Sequence, residues 1–210
     1  MLKEKRIVAS IIANSQEELE ERFNKIKNYV DIIQLDIMDG KFVSEKSLFF
    51  NYILPKTDKT IEAHLMVEDP VEWIEEVGDR VDTIIFHFES TKFPEKIINL
   101  IRRKGKKVGL ALGPKTRIFE IKKYLAGIDQ VLVFTADKMG QYGAKFDRGS
   151  LEKIDVLAKT TDLLIEVDGG INKNTINEVS KKGANNFVCG SVLQKSEFID
   201  ERIDELKKLF

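Results

Sequence analysis

Cysteine is almost missing from this chain. Cys189 is the only one in 210 residues, which excludes an intrachain disulfide and a metal knuckle of paired cysteines. An excess of charge is missing too: 34 basic residues face 35 acidic ones, and a net charge of -1 gives no bulk attraction to a nucleic-acid backbone or an anionic membrane. The basic cluster Arg102, Arg103, Lys104, Lys106 and Lys107 reads as a solvated helix end that complements its dipole. No apolar run approaches the ~20 residues needed to span a bilayer. The start MLKEKRIVAS has no hydrophobic core followed by a cleavage site. The expectation is a cytoplasmic protein with neither nucleic acid nor membrane as partner. Proline is limited to four residues, and no linker or low-complexity run interrupts the chain. With 42% hydrophobic residues, positions 1–210 are read as one domain with a full core.

What is present is a repeated exchange of short strand for helix. Apolar, β-rich runs begin at Ile7, Tyr29, Thr60, Asp82, Lys107, Ile128, Leu163 and Asn185. Between them lie amphipathic stretches such as SQEELEERFNKIKN, where Leu19, Phe23 and Ile26 fall at helical spacing and Ser15, with Glu18 after it, is placed to cap. PVEWIEEVG, PEKIINLIRRKG and NKNTINEVSKKG repeat the format of helix starter, apolar stripe and terminal glycine. Such alternation specifies parallel βαβ units, and eight of them fit either a doubly wound sheet or a compact (β/α)8 TIM barrel. Polar residues at the carboxyl end of nearly every strand favour the barrel, because a doubly wound sheet concentrates them at its switch point.

The stretch DIIQLDIMDGKFV, residues 31–43, ends a strand in two aspartates. Alternation puts Gln34, Asp36 and Met38 on one face of that strand, and His64 and Met66 on one face of the next. Asp168 ends the seventh strand, just before Gly169 and Gly170. If these faces point into the barrel, two carboxylates, an imidazole and an amide converge near its upper mouth. A single acid at a strand end is commonly a turn cap. Acidic or imidazole side chains recurring at equivalent strand positions point instead to chemistry.

These residues belong to a series of segments that closely resembles the ribulose-phosphate 3-epimerase family over nearly the whole chain. The segments are LDIMDGKFV (35–43), AHLMVEDP (63–70), FHFE (86–89), GLALGPKT (109–116), VLVFT (131–135), EVDGGI (166–171) and GANNFVCGS (183–191), with SIIAN from Ser10 like the family's first strand end. The resemblance implies a barrel of the ribulose-phosphate-binding type and an isomerase of the pentose phosphate pathway that interconverts D-ribulose 5-phosphate and D-xylulose 5-phosphate. It assigns the proton transfer at carbon 3 to Asp36 and Asp168, since inversion needs a base on one face and an acid on the other. It implies a divalent cation (Zn, Mn, Fe or Co) that supplies positive charge to the enediolate, held by Asp36, His64, Asp168 and the residue at position 34. Ser10, Met38, His64, Met66 and Phe134 would surround the sugar. Gly143, Gly169, Gly170, Gly190 and Ser191 would take the phosphate, and glycine and helix amino ends suit close approach of an anion. The family also implies a homo-oligomer.

The chain departs from the family at several of these places. Position 34 holds glutamine where the family has a metal histidine, and an amide is a poorer zinc donor than imidazole. A looser ion, a harder ion or no ion are all compatible with that change. In TADKMGQYGAKF, residues 135–146, Lys138 stands at the family's proline, and Gln141 and Tyr142 enlarge the mobile loop. Phe134 replaces a methionine and Gly113 an asparagine, and these changes are expected to line and cover the pocket. Two alternatives follow: a 3-epimerase of another ketose phosphate, or a non-catalytic sugar-phosphate-binding homologue. A decarboxylase or hexulose-phosphate synthase is disfavoured, because Asp36-Ile37-Met38 lacks their Asp-x-Lys pair. His87 is read as a packed or hydrogen-bonded residue outside the metal shell, and Cys189 as a buried one.

Overall fold

Each β-rich run forms a strand. In the computed structural model, which describes residues 3–210, the strands close into one parallel barrel in sequence order. They are β1 (Arg6–Ile11), β2 (Ile32–Met38), β3 (Thr60–Met66), β4 (Thr83–His87), β5 (Lys107–Leu112), β6 (Gln130–Phe134), β7 (Leu164–Asp168) and β8 (Asn186–Val188). Met1 and Leu2, which open the start considered above, lie outside the described residues. The ring closes where β8 pairs with β1 through Arg6↔Asn186, Ile7↔Phe187 and Val8↔Val188, so the sheet presents no edge.

The helices are α1 (Gln16–Ile26), α2 (Val71–Val77), α3 (Pro94–Arg103), α4 (Ile118–Ile121), α5 (Ser150–Thr160), α6 (Ile176–Lys181), α7 (Ser191–Gln194) and α8 (Ile199–Lys207). α1 forms as its spacing predicts: Ser15 Oγ accepts from the Glu18 amide at 3.1 Å, and Leu19, Phe23 and Ile26 are buried. The alternation is not uniform, because β2 and β3 are joined by an irregular segment with no helix while α7 and α8 both follow β8. In that segment Leu48, Phe49, Phe50, Tyr52 and Leu54 are bunched rather than spaced along one helical face, and they pack as a plug. Backbone groups of the plug are tied down by Trp73, whose indole donates to the Phe49 carbonyl at 3.0 Å, and by a 2.7 Å bond from the Leu48 amide to the Ala13 carbonyl.

Period-two alternation divides the strand side chains. Ile33, Leu35 and Ile37 join the outer core with Phe23 and Trp73, while Gln34, Asp36 and Met38 turn inward. Inside the barrel, apolar groups form two patches, one around Ile85, Leu132 and Phe134 and one of Val8, Ile32 and Val188. A buried polar layer of Glu62, Gln130, Glu166 and Asn186 lies in the same interior. Asn186 Nδ2 donates to Glu166 Oε2 at 3.1 Å, and Glu62 and Glu166 lie close enough for the charge of one to disfavour ionisation of the other. Burial raises the Glu62 carboxyl to about 7 and the Glu166 carboxyl well above its ordinary value. At the carboxyl ends the register sets Asp36 beside His64, Met38 beside Met66 and Phe134 beside Asp168.

Candidate active site

The two aspartates that end β2 have different surroundings. Asp39 turns out of the strand and accepts backbone N–H bonds from Lys41, Phe42 and Glu68 at 2.8, 3.0 and 2.8 Å. Against the upward pull of its partial burial, these bonds lower its pKa, as expected of a carboxylate that caps a turn. Asp36 points inward and is 6% exposed. The fully buried Gln34 places its amide nitrogen between the acids of β2 and β7, donating to Asp36 Oδ1 at 2.8 Å and to Asp168 Oδ2 at 2.9 Å. From β3, His64 Nδ1 approaches the same two oxygens at 3.3 and 3.1 Å. Two nitrogens and two carboxylate oxygens thus form a closed ring of contacts.

Electrostatics follow from this crowding. Burial raises the Asp36 carboxyl, and the nearby Asp168 charge adds to it, while His64 and Gln34 oppose the shift. Burial pulls the His64 imidazole down, but the adjoining Asp168 and Asp36 carboxylates outweigh it and raise His64 to about 9. Behind His64 stands His87, with the two Nε2 atoms 2.9 Å apart. Burial lowers the His87 pKa, so its neutral ring accepts from His64 Nε2–H and turns Nδ1 toward Glu89 Oε2 at 3.4 Å. Glu89 Oε1 in turn accepts from the Gly113 amide at 2.8 Å and from the Thr116 hydroxyl.

A cleft opens above Asp36 and Asp168. Of the residues singled out in the sequence, Ser10, Met66, Phe134, Gly143, Gly169, Gly170, Gly190 and Ser191 line it. Gln34, His64 and Met38 do not: the first two lie behind the carboxylates, and Met38 packs under Gly140. Gly113 is also absent from the lining; it sits against Glu89 and Met139, so its expected place in the pocket wall is corrected to one behind it. Gly170 has φ +71° and a Cβ there would come within 2.9 Å of the Phe146 backbone, so only glycine lets the chain pass this close to the Phe146 backbone without strain.

Tyr142 belongs to this cleft, although its sequence suggested only a longer loop. It reaches from the segment after β6 to the end of β1, where its hydroxyl accepts from the Ile12 amide at 2.9 Å and donates to the Ser10 carbonyl at 3.2 Å. Its ring closes on Gly190, where an added Cβ would lie 2.6 Å from Tyr142 Cε1. Gln141 secures the same loop to Glu45. A tyrosine between two loop glycines was the signal available in the sequence; its partner on β1 was not.

The profile of the ribulose-phosphate 3 epimerase family matches residues 6–194. The chain belongs to the ribulose-phosphate 3-epimerase family. Curated ribulose-phosphate 3-epimerases similar to it include those of Schizosaccharomyces pombe, 31% identical over 96% of this chain and 92% of the relative, and Bacillus subtilis, 34% identical over 86% and 88%. That of Methanocaldococcus jannaschii is 33% identical over 97% of this chain and 90% of its own. Solved structures share the fold. A 3-hexulose-6-phosphate synthase aligns with a TM-score of 0.70 at 19% identity, covering 98% of this chain and 99% of that one. A tryptophan synthase alpha-subunit from Pyrococcus furiosus gives 0.71 at 17%, covering 99% and 100%.

In this member of the 3-epimerase family, Asp36, His64 and Asp168 each offer a ligand atom, all within 4.8 Å of one another. The separations of 3.3 and 3.1 Å from His64 Nδ1 to the carboxylate oxygens match donors that share one divalent ion at about 2.0–2.2 Å each. Gln34 Oε1 is buried without a hydrogen-bond partner beside this set. The donor chemistry fits a divalent cation.

Proposed function

We propose that the protein interconverts D-ribulose 5-phosphate and D-xylulose 5-phosphate by proton transfer at carbon 3. The observation that carries this reading is the convergence of Asp36 and Asp168 in a cleft whose wall also includes Gly169, Gly170, Gly190 and Ser191. An anion held against that wall by backbone amides and the start of α7 leaves the sugar carbons extended toward the acids. One carboxylate removes the carbon 3 proton, and the electron pair moves into the neighbouring carbonyl to give an enediolate. The other carboxyl, protonated when substrate binds, delivers its proton to the opposite face of carbon 3. The first aspartate ends protonated and the second ionised, so the reverse reaction exchanges their tasks. Burial and the neighbouring Asp168 charge raise the Asp36 pKa, the direction that favours its acting as the acid of the pair.

Asp36, His64 and Asp168 would hold a divalent cation, which when bound supplies positive charge to the developing oxyanion. Zinc, manganese, iron and cobalt all suit imidazole and carboxylate donors. Ser10, Met66 and Phe134 shape the sugar end of the cleft, and Met38 supports it through Gly140. The same chemistry on another ketose phosphate is the second reading, favoured by Tyr142 in the wall. The reading further takes residues 1–210 as one catalytic domain, working as a homo-oligomer in the cytoplasm within the pentose phosphate pathway. Among the described residues no helix is long and apolar enough to cross a membrane.

Incubation with ribulose 5-phosphate in heavy water tests it. Xylulose 5-phosphate should form with deuterium at carbon 3. Neither product nor exchange, with and without added divalent cations, would sink the proposal, and a panel of pentulose and hexulose phosphates separates the second reading from the first.

A further inference from the structure

Gln34 divides its two polar atoms unevenly. Its amide nitrogen spends both hydrogens on the two acids, at 2.8 and 2.9 Å, while its oxygen is buried with no partner. N–H bonds to carboxylates are among the stronger hydrogen bonds, and here they offset an unpaired acceptor. They also hold together two carboxylates that would otherwise repel each other. Turning the amide over exchanges these roles: Oε1 would join Asp36 Oδ1, Asp168 Oδ2 and His64 Nδ1 as a fourth donor once a cation takes the place of the hydrogen on His64 Nδ1, an arrangement that only a cation makes favourable.

We propose that Gln34 is a two-position side chain, bridging Asp36 and Asp168 through its nitrogen in the metal-free protein and becoming a fourth donor through its oxygen when a divalent cation binds. The metal-free site is then an organised state rather than a collapsed one. Cation binding has to break two charge-assisted hydrogen bonds first, so this site holds zinc more weakly than one whose fourth ligand needs no release. The inference takes from the proposed function only that Asp36 and Asp168 are the pair to be held, and its test reads metal affinity, stability and the amide itself rather than turnover.

The experiment compares the native chain with Gln34→His and Gln34→Glu after removal of metal by chelation. Zinc affinity is measured by competition with a chromophoric chelator, and thermal midpoints are taken without metal and at zinc saturation. The side-chain amide signals of Gln34 are followed by nitrogen-15 NMR in the native protein, identified by their loss in a variant. Changes outside the ligand shell alone shift metal affinity by roughly 10–100-fold, so Gln34→His should bind zinc at least about tenfold tighter than the native chain. Metal-free Gln34→Glu, which sets a third acid against two without an N–H, should melt below the native protein and gain more from zinc. The native amide protons should be shifted and slow to exchange without metal, and lose both properties on adding zinc.

No zinc binding by the native chain, no gain in Gln34→His, or amide signals unmoved by zinc would each overturn the proposal. So would a metal-free Gln34→Glu as stable as the native chain. If Gln34→Glu does not fold, the NMR measurement on the native protein decides alone. A protein that responds to zinc as expected but turns over no ketose phosphate would overturn the proposed function and leave this inference standing.

Discussion

Asp36 and Asp39 share one strand end but not one task. The inward carboxylate has no backbone N–H partner among those described and meets two side chains, whereas the outward one takes three amide bonds. Asp36→Asn and Asp168→Asn should therefore each lower kcat by about 10²–10⁴-fold, the usual worth of a positioned acid or base. Retention of a tenth of native turnover by either would remove it from the proton path. A second prediction concerns the buried pair Glu62 and Glu166. A carboxyl raised from 4.5 to about 7 adds stability that is complete below 4.5 and is lost as pH rises through 7. Glu62→Gln should flatten the fall in unfolding free energy between pH 5 and pH 8 by about 1–3 kcal/mol, measured by urea titration in chelator. Period two alone was enough to separate Asp36 from Asp39 and to put Gln34 with the former. It could not tell that Gln34 lies behind the acids instead of at the cleft surface, because depth along a barrel axis depends on strand tilt and on the neighbours' register.

The segment between β6 and α5 behaves as one element, folded back on itself by an Ala136–Phe146 bridge and pinned to β1 by a single hydroxyl. Tyr142→Phe removes both bonds while keeping the ring against Gly190. Substrate capture should weaken by about 1–2 kcal/mol, roughly 5–30-fold in KM, with kcat held or raised because opening is easier. Proteolysis at Lys138 and Lys145 should speed up in parallel; unchanged KM and cleavage would mean that the hydroxyl does not secure the loop. Elements with caps and regular apolar spacing, α1 above all, were legible residue by residue. The connection after β2 was not, since bunched aromatic and aliphatic residues obey no period, and their order comes from Trp73 and Ala13 far along the chain.

At the scale of the molecule, the outer core depends on large side chains wedged between strands and helices. Trp73 is fully buried there and also satisfies the Phe49 carbonyl. Trp73→Ala should destabilise the fold by about 3–5 kcal/mol in urea unfolding, and a loss below 1 kcal/mol would show that the plug over β2 and β3 is held by other contacts. That the sheet closes was legible from polar residues at so many strand ends, a pattern that one switch point does not produce. The seam between β1 and β8 has a consequence for biosynthesis. Ser10 follows from the first strand and Gly190 from the last, so the two walls of the cleft meet only after residue 188 has left the ribosome. Until then the nascent chain carries two open sheet edges and only part of the cleft lining. The ligand binds the closed ring and no precursor of it, which makes it a reporter of ring closure: added during translation, it should protect chains extended past β8 from protease and leave shorter ones exposed.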